Sequence, residues 1–271
     1  MNSFNFQVDI NQFKQQEFIE KCLGFIDLTS LNVTDTFAKI EDMVKKVNEY
    51  SQRFPKLPPV AAVCVYPSFT RTVRNTLTAS DVRIAVTGAG FPASQTFLKI
   101  KKEECRMAVE EGADEVDIVL SLNHFFSENY QQAGEEISAI RSVIGQAFLK
   151  VIIESGILSK PASIAKACTI AIEAGADFIK TSTGKCEPAA TPEAAFVICS
   201  AIREHYQKTG KQIGFKPAGG IVSTEDALLY YTIVHNVLGP DWLHPSLFRI
   251  GASRLANNLL TTLYNQKINY F

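Results

Sequence analysis

The stretch Glu-Gly-Ala-Asp-Glu-Val-Asp at residues 111–117 returns in altered form as Ala-Gly-Ala-Asp-Phe-Ile-Lys at residues 174–180. In both copies a glycine follows an amphipathic segment and precedes a short run rich in apolar residues. A glycine at the end of a helix, followed at once by a strand, is typical of a repeated helix-and-strand unit. The pair therefore predicts a chain built from βα units.

Short apolar runs recur along the whole chain and predict eight β-strands separated by amphipathic helices. The run Val-Ala-Ala-Val-Cys-Val-Tyr at residues 60–66 is apolar almost throughout, which favours parallel strands covered on both faces. Eight βα units fill 271 residues, the length typical of a (β/α)₈ barrel of the TIM type in the α/β class. The predicted strands are residues 25–29, 60–66, 83–87, 115–121, 148–154, 178–182, 213–217 and 248–252.

The chain offers no division into separate domains. No linker rich in Pro, Gly or Ser interrupts the alternation, so we predict one barrel domain over residues 1–271. Helical spacing over residues 9–22 predicts an N-terminal helical extension of about residues 1–24 that covers the bottom of the barrel.

Composition excludes several classes of function. The 27 lysine and arginine residues balance 28 aspartate and glutamate residues and are mixed with them, which argues against a nucleic-acid or membrane partner and favours a small molecule. The six cysteines show no CxxC spacing and are expected to be reduced. No signal peptide and no run near the roughly 18 apolar residues of a membrane span is visible, so we expect the cytoplasm.

Two lysines interrupt apolar strands, and they are the first candidates for chemistry. Lys180 lies in Phe-Ile-Lys-Thr-Ser-Thr-Gly-Lys at 178–185, and Lys216 lies in Gly-Phe-Lys-Pro-Ala-Gly-Gly at 214–220. Burial and a second ammonium group nearby both lower the pKa of a lysine, which yields a neutral amine able to attack a carbonyl and form a Schiff base. The competing interpretation is structural, with each lysine reaching solvent or pairing with a carboxylate.

Other ionisable residues are expected at the same end of the barrel, where the carboxyl ends of the strands meet. They are Asp27 on the first strand, Asp117 on the fourth and Lys150 on the fifth. Cys64 on the second strand lacks a histidine to activate it, so we interpret it mainly as a buried cysteine of the hydrophobic core. The four histidines fall in predicted helices or loops, so no histidine-ligated metal is expected there.

Glycine motifs lie at the ends of the last three predicted strands. Loops at these strands commonly bind phosphate through free backbone N–H groups, and two cations among them add charge. The predicted phosphate-binding residues are Gly184, Lys185, Gly219, Gly220, Gly251, Ser253 and Arg254.

These motifs, together with those at 27–32, 112–117, 150–154 and 248–253, resemble the deoxyribose-phosphate aldolase family, class I aldolases with a (β/α)₈ fold. The resemblance implies that Lys180 is the Schiff-base lysine, that Lys216 lowers its pKa and that Asp117 relays protons through water. It implies reversible cleavage of 2-deoxy-D-ribose 5-phosphate into acetaldehyde and D-glyceraldehyde 3-phosphate, as part of deoxyribonucleotide catabolism, with no metal or cofactor. A homodimer is a family-level expectation. Residues expected to support the site are Asp27, Cys64, Lys150 and Thr183.

The chain departs from the family pattern at the predicted phosphate site. It has Ile-Val-Ser at 221–223 where a basic residue is frequent, and Arg254 where a second serine is frequent. The loop at 87–92 and the final Asn-Tyr-Phe also differ from some members, some of which end in a mobile tyrosine. These differences indicate that the positive charge of the phosphate site has moved to another position than in the family pattern.

Two alternatives to the lyase remain open at this point. One is a related barrel enzyme that uses the same lysine on another phosphorylated ketone or aldehyde, such as a ketose aldolase or a phosphoketone thiolase. The other is a sugar-phosphate-binding protein without activity, which needs the phosphate loops but not the lysine pair.

Overall fold

Eight parallel β-strands line the centre of the protein in the computed structural model, which describes residues 8–271. In the sheet they are hydrogen-bonded in the order β7-β6-β5-β4-β3-β2-β1-β8. The strands are β1 (Ile26–Thr29), β2 (Ala62–Val65), β3 (Arg83–Thr87), β4 (Glu115–Val119), β5 (Phe148–Ile152), β6 (Phe178–Lys180), β7 (Gly214–Lys216) and β8 (Ile250–Ala252). Each lies within its predicted run, so the eight predicted strands and the (β/α)₈ class are confirmed.

Hydrogen bonds between the segments around β7 and β8 close the sheet into a barrel. The backbone N–H of Phe215 donates to the carbonyl of Leu247 at 2.8 Å, and that of Arg249 donates back to Phe215 at 3.1 Å. Further up, the N–H of Gly251 donates to Pro217 at 2.9 Å. Within residues 8–271, closure pairs the two edge strands of the sheet, and it brings residues from all eight strands around one interior.

Helices alternate with the strands and cover the barrel. They are α1 (Gln16–Leu23), α2 (Phe37–Arg53), α3 (Thr70–Thr76), α4 (Leu98–Glu110), α5 (Leu122–Phe126), α6 (Tyr130–Arg141), α7 (Ser155–Leu158), α8 (Pro161–Glu173), α9 (Pro192–Thr209), α10 (Thr224–Leu238) and α11 (Leu255–Tyr264). In α2 the buried residues Ile40, Val44 and Val47 share one face, as the 3.6-residue period requires. Within residues 8–271, none of the helices combines the length and apolar character that crossing a membrane needs.

Helix α3 is one element that local pattern does not predict. Its sequence Thr-Arg-Thr-Val-Arg-Asn-Thr is rich in β-branched residues, which are weak helix formers. Val73 is completely buried, and Arg74 donates to the carbonyl of Gly112 at 2.6 Å and to Asp114 at 2.8 Å. Tertiary contacts therefore override the local preference.

In the segment predicted as helical over residues 9–22, the structure has a 3₁₀ turn at Asn11–Phe13 followed by α1, which begins at Gln16. Helix α1 packs against α10 and α11, and the ring of Phe13 in the 3₁₀ turn lies 5.1 Å from that of Tyr231 on α10. Residues 1–7 of the predicted extension lie outside the described residues.

The C-terminal segment folds back along α11 and packs against α2. Asn257 on α11 accepts hydrogen bonds from the backbone N–H groups of Tyr270 (2.9 Å) and Phe271 (3.0 Å). The Tyr270 hydroxyl donates to the carbonyl of Lys46 at 2.8 Å, and the Phe271 ring stacks on Tyr50. Tyr270 is thus bound to the outer face of α2 in this structure.

Candidate active site

Three lysines converge on one carboxylate inside the barrel. Asp117 Oδ2 accepts hydrogen bonds from Lys180 Nζ at 2.8 Å and from Lys216 Nζ at 2.7 Å. Its Oδ1 accepts from Lys150 Nζ at 3.0 Å. Strand register explains the meeting, because Asp117 is paired with Lys150 across β4 and β5, and Lys180 with Lys216 across β6 and β7.

A second group of charges lies below the lysines, toward the amino ends of the strands. Asp27 Oδ2 lies 2.5 Å from Lys216 Nζ, and its Oδ1 accepts from Arg249 Nη1 at 2.7 Å. Glu115 accepts from Arg249 Nη2 at 2.7 Å and also from Lys150 Nζ. These side chains are 0–1% exposed, so solvent does not screen their charges.

The surroundings of the two candidate lysines differ, and their pKa values move in opposite directions. Burial, opposed by the Asp117 carboxylate and reinforced by the Lys216 ammonium, lowers the pKa of Lys180. Lys216 is equally buried, but the carboxylates of Asp117 and Asp27 outweigh burial and raise its pKa. The pKa of Asp117 is held well below its usual range by the three lysines, against the effect of burial. Lys180 is therefore the amine that deprotonates first.

Cys64 is completely buried on β2 and packs with Ala62 and Ala85 in a small cluster. Burial raises the pKa of its thiol, in spite of the nearby Lys216 ammonium. A thiol held in its protonated form is a poor nucleophile, so the geometry gives Cys64 a packing role beside the lysines.

Thr183 is fixed by a carboxylate from the neighbouring strand end. Its hydroxyl donates to Glu154 at 2.6 Å, its N–H donates to the same carboxylate at 3.0 Å, and its hydroxyl accepts from the N–H of Lys185 at 3.1 Å. Glu154 is buried and has a φ of 50°, a conformation that non-glycine residues adopt at a cost of about 1–3 kcal/mol. The loop after β6 therefore has a defined shape.

A cavity of about 270 Å³ opens above Lys180 at the carboxyl ends of the strands. Lys180 and Thr183 line it, whereas Asp117 and Lys216 lie beneath and outside its lining. All the predicted phosphate-binding residues line this cavity as well, namely Gly184, Lys185, Gly219, Gly220, Gly251, Ser253 and Arg254. One cavity thus joins the amine to the glycine loops.

Two of the glycine loops approach each other closely. Gly219 has a φ of 85°, and a Cβ atom there would lie 2.6 Å from Cβ of Ala189 and 3.2 Å from Cα of Gly184. Only glycine fits this position without displacing backbone. Opposite these loops, α11 begins directly after Ser253 and Arg254, and no side chain among the described residues caps its first turn. Its free N–H groups suit an anion.

Sequence reasoning did not assign a role to Glu115, Glu154 or Arg249. Glu115 and Glu154 lie in motifs that carry the family resemblance, but what they bind depends on residues far away in the chain. Arg249 precedes β8 and is 1% exposed, a burial that an arginine rarely shows unless it is paired. A charged residue beside an apolar strand was the available signal. Among residues 8–271, no cluster of three or more His, Cys, Asp or Glu side chains is arranged as a metal site.

Chemically, the arrangement supports imine formation on a small anionic carbonyl compound. It provides an amine of lowered pKa at the floor of a cavity, a carboxylate within hydrogen-bond distance of that amine, and cations with free N–H groups at the rim.

Comparisons with known proteins match the chain to aldolases. The model of the DeoC/LacD family aldolases matches residues 22–237. The deoxyribose-phosphate aldolase of Homo sapiens is 40% identical over 265 residues, which cover 93% of this chain and 82% of that protein. The enzyme of the same name from Bos taurus is 39% identical, with the same coverage.

A solved structure shares the fold. The deoxyribose phosphate aldolase from Aeropyrum pernix, described as a unique tetramer, superposes with a TM-score of 0.71 over 90% of this chain and 92% of its own, at 24% identity. From the family match over most of its length and the identity to curated relatives, the chain belongs to the DeoC/LacD family of aldolases.

Proposed function

We propose that this protein is a class I aldolase that reversibly cleaves 2-deoxy-D-ribose 5-phosphate into acetaldehyde and D-glyceraldehyde 3-phosphate. The observation that carries the proposal is the single cavity that joins Lys180 to the residues suited to phosphate. The names of the curated relatives support the same substrate.

Lys180 acts as the nucleophile in this scheme. Its neutral amine attacks C1 of the open-chain sugar, and loss of water from the carbinolamine leaves a protonated imine. As the C3 hydroxyl loses its proton, the C2–C3 bond breaks and its electron pair moves toward the imine nitrogen. Glyceraldehyde 3-phosphate leaves, and an enamine of acetaldehyde remains on Lys180. Protonation at C2 and hydrolysis of the imine then release acetaldehyde.

Asp117 and Lys216 act on Lys180 from below. Asp117 Oδ2 lies 2.8 Å from Lys180 Nζ, so it can exchange a proton with the nitrogen when the carbinolamine forms and collapses, and through water it can serve the substrate. Lys216 stays protonated between Asp117 and Asp27 and lowers the pKa of Lys180 by repulsion. Lys150 holds the other oxygen of Asp117 and so orients it.

The rim of the cavity holds the phosphate in this proposal. Lys185 and Arg254 supply charge, and the glycine loops with the first turn of α11 supply N–H groups. Binding the phosphate at one end fixes the distance of the sugar's C1 from Lys180, which converts binding energy into alignment of the reacting carbons.

Reductive trapping tests the proposal. The protein is incubated with acetaldehyde and borohydride, and the adduct is located by intact-mass and peptide mass spectrometry. We expect an N-ethyl group on Lys180, none in the Lys180→Met variant, and an unchanged adduct in Lys185→Met, whose amine bonds the carbonyl of Leu31. Cleavage is measured separately with 2-deoxy-D-ribose 5-phosphate. A folded wild-type protein without an adduct contradicts the proposed mechanism.

Three further expectations from the sequence are retained as proposals. We propose one barrel domain over residues 1–271, a homodimer, and a cytoplasmic location. Size-exclusion chromatography with light scattering checks the dimer, and fractionation of cells checks the compartment.

A further inference from the structure

Arg249 and Glu115 form a buried ion pair that the proposed mechanism does not use. The guanidinium donates from Nη2 to Glu115 Oε1 at 2.7 Å and from Nη1 to Oε2 at 3.2 Å, a two-point contact that fixes both groups. Its Nε donates to the carbonyl of Pro245. Arg249 is 1% exposed and Glu115 is 0% exposed. These hydrogen bonds fix the positions of both side chains in the barrel.

Both members of the pair also contact the groups around the Schiff-base lysine. Arg249 Nη1 donates to Asp27 Oδ1 at 2.7 Å, which leaves Oδ2 of the same carboxylate 2.5 Å from Lys216. Glu115 accepts from Lys150, whose Nζ also donates to Asp117 Oδ1 at 3.0 Å. The pair thus binds Asp27, which contacts Lys216, and Lys150, which contacts Asp117.

The buried cluster carries more positive than negative groups. Its cations are Lys150, Lys180, Lys216 and Arg249, and its carboxylates are Asp27, Glu115 and Asp117. If all were ionised, one positive charge would be in excess. Buried charges that lack a partner are costly, so the cluster favours the loss of one proton.

Contacts within the cluster decide which cation loses the proton. Lys216 contacts two carboxylates, Asp27 and Asp117. Lys150 contacts three, Asp27, Glu115 and Asp117. Arg249 contacts two, Asp27 and Glu115. Lys180 contacts Asp117 alone, and it shares that carboxylate with the two other lysines.

We propose that Arg249 and Glu115 are positioning residues for the aldolase reaction, which hold Asp27 and Lys150 in place and set the charge balance that leaves Lys180 as the neutral amine. The inference rests on the proposed function of Lys180 as the Schiff-base lysine. Neither residue lines the cavity, so both act through the residues above them.

Charged and titratable groups surround Lys180 on several sides. The groups facing it are Asp117 from β4, Lys216 from β7 and the Cys64 thiol from β2. Asp27 (β1), Lys150 (β5), Glu115 and Arg249 lie one contact further away. Lys185, whose amine donates to the carbonyl of Leu31, and Arg254 line the same cavity as Lys180. Glu154 bonds Thr183, and the half-exposed Arg83 lies 3.7 Å from Glu115.

The test changes the charge of the pair in both directions. Glu115→Gln removes a negative charge and makes it easier for Lys180 to lose its proton, so the acid limb of the pH dependence of acetaldehyde trapping moves to lower pH. Arg249→Met removes a positive charge and moves that limb to higher pH. We expect shifts of about 0.5–1 pH unit, smaller than the 1–3 units of a directly adjacent charge.

The double variant and a surface control separate charge from damage. Glu115→Gln combined with Arg249→Met restores the charge balance, so its limb lies close to that of the wild type. Arg83→Met removes a half-exposed cation near the same carboxylate, and solvent screening keeps its limb unchanged. The proposal is overturned if the acid limbs of the two single variants stay at the wild-type pH, or if both move in the same direction.

Folding is monitored by circular dichroism, because removing one member of a buried pair is strongly destabilising. If the single variants do not fold, Arg249→Lys and the double variant carry the test. Arg249→Lys keeps the charge but loses the two-point contact, so we expect an unmoved limb and a trapping rate reduced about tenfold. Wild-type rates in both variants overturn the proposal.

The wild-type protein distinguishes this inference from the proposed function. If the wild type forms no adduct on Lys180, the proposed function fails. If it forms the adduct and the folded variants show no charge-dependent shift, only the positioning role fails.

Discussion

Replacing Lys216 with methionine measures how strongly one buried ammonium controls the other. Methionine keeps most of the volume and apolar stem of lysine and removes the charge. Because Lys180 and Lys216 both bond Oδ2 of Asp117, at 2.8 and 2.7 Å, their nitrogens are separated by no more than the sum of these distances, 5.5 Å. The variant therefore removes a like-charge repulsion at short range.

The size of the effect follows from that separation. Two unit charges 5.5 Å apart at an effective dielectric constant of about 20 repel by about 3 kcal/mol. This corresponds to roughly a hundredfold change in the fraction of neutral Lys180 amine, or about two pH units. Both side chains are at least 96% buried, so no discount for solvent screening applies. Freeing Asp27 and Asp117 from Lys216 raises the pKa of Lys180 further in the same direction.

The assay is the pH dependence of kcat/KM for cleavage, together with the pH dependence of acetaldehyde trapping. The sign is fixed by the protonation state. In the wild type the pKa of Lys180 is lowered, so neutral amine is present at lower pH, and in the variant it appears only at higher pH. We expect the acid limb to move up by about two units, and trapping to recover in alkaline buffer.

A matched control removes another buried lysine. Lys101 on α4 is 2% exposed and bonds Glu136 on α6 at 2.8 Å, outside the barrel. Lys101→Met is expected to lower stability without moving the limb. An acid limb at the wild-type pH in folded Lys216→Met would refute the assigned role of Lys216, and an equal shift in the control would point to general damage.

Two further predictions concern the phosphate site and the C-terminal segment. Arg254→Ala is expected to raise KM for the phosphorylated sugar about 10- to 100-fold, since a charged hydrogen bond is worth about 1.5–3 kcal/mol, and to leave acetaldehyde trapping unchanged. Steady-state kinetics check this, with Arg53→Ala at the opposite end of the barrel as the control, and an unchanged KM speaks against the role. Asn257→Ala removes hydrogen bonds to residues 269–271 and is expected to lower the free energy of unfolding by about 1–3 kcal/mol, measured by denaturant titration. Asn269→Ala loses only one of these bonds, so an equal loss there would contradict the reasoning.

Much of the barrel was predictable because its signals are local. An apolar run such as residues 60–66 can be recognised as a buried parallel strand without knowledge of its neighbours. The eight strands were confirmed within their predicted runs, with ends shortened by up to two residues on one side. Helix α3 was missed because its β-branched residues oppose helix formation locally, and the contacts of Arg74 with the next βα unit stabilise it.

In the candidate site too, some residues could be predicted from the local sequence and others could not. Lys180, Lys216 and Asp117 were visible because a charged residue within an apolar strand is conspicuous in one dimension. Of their shared contact, only one part was predicted, namely that adjacent strands bring the two lysines close together. The role of Glu154 was not predicted, because its hydrogen bond with Thr183 depends on how the ends of two strands face each other.

By itself the sequence determined where the strands lie, that charged side chains interrupt them, and that glycines lie near the ends of the last three. Only the tertiary structure decided which charge contacts which. Arg249 and Glu115 are 134 positions apart, and they meet because barrel closure and strand register turn both side chains inward. The opposite pKa directions of Lys180 and Lys216 follow from the number of carboxylates each contacts. Hydrophobic periodicity is a property of neighbours in the chain, whereas the energy of a buried charge depends on all charges within a few ångströms, whichever strand supplies them.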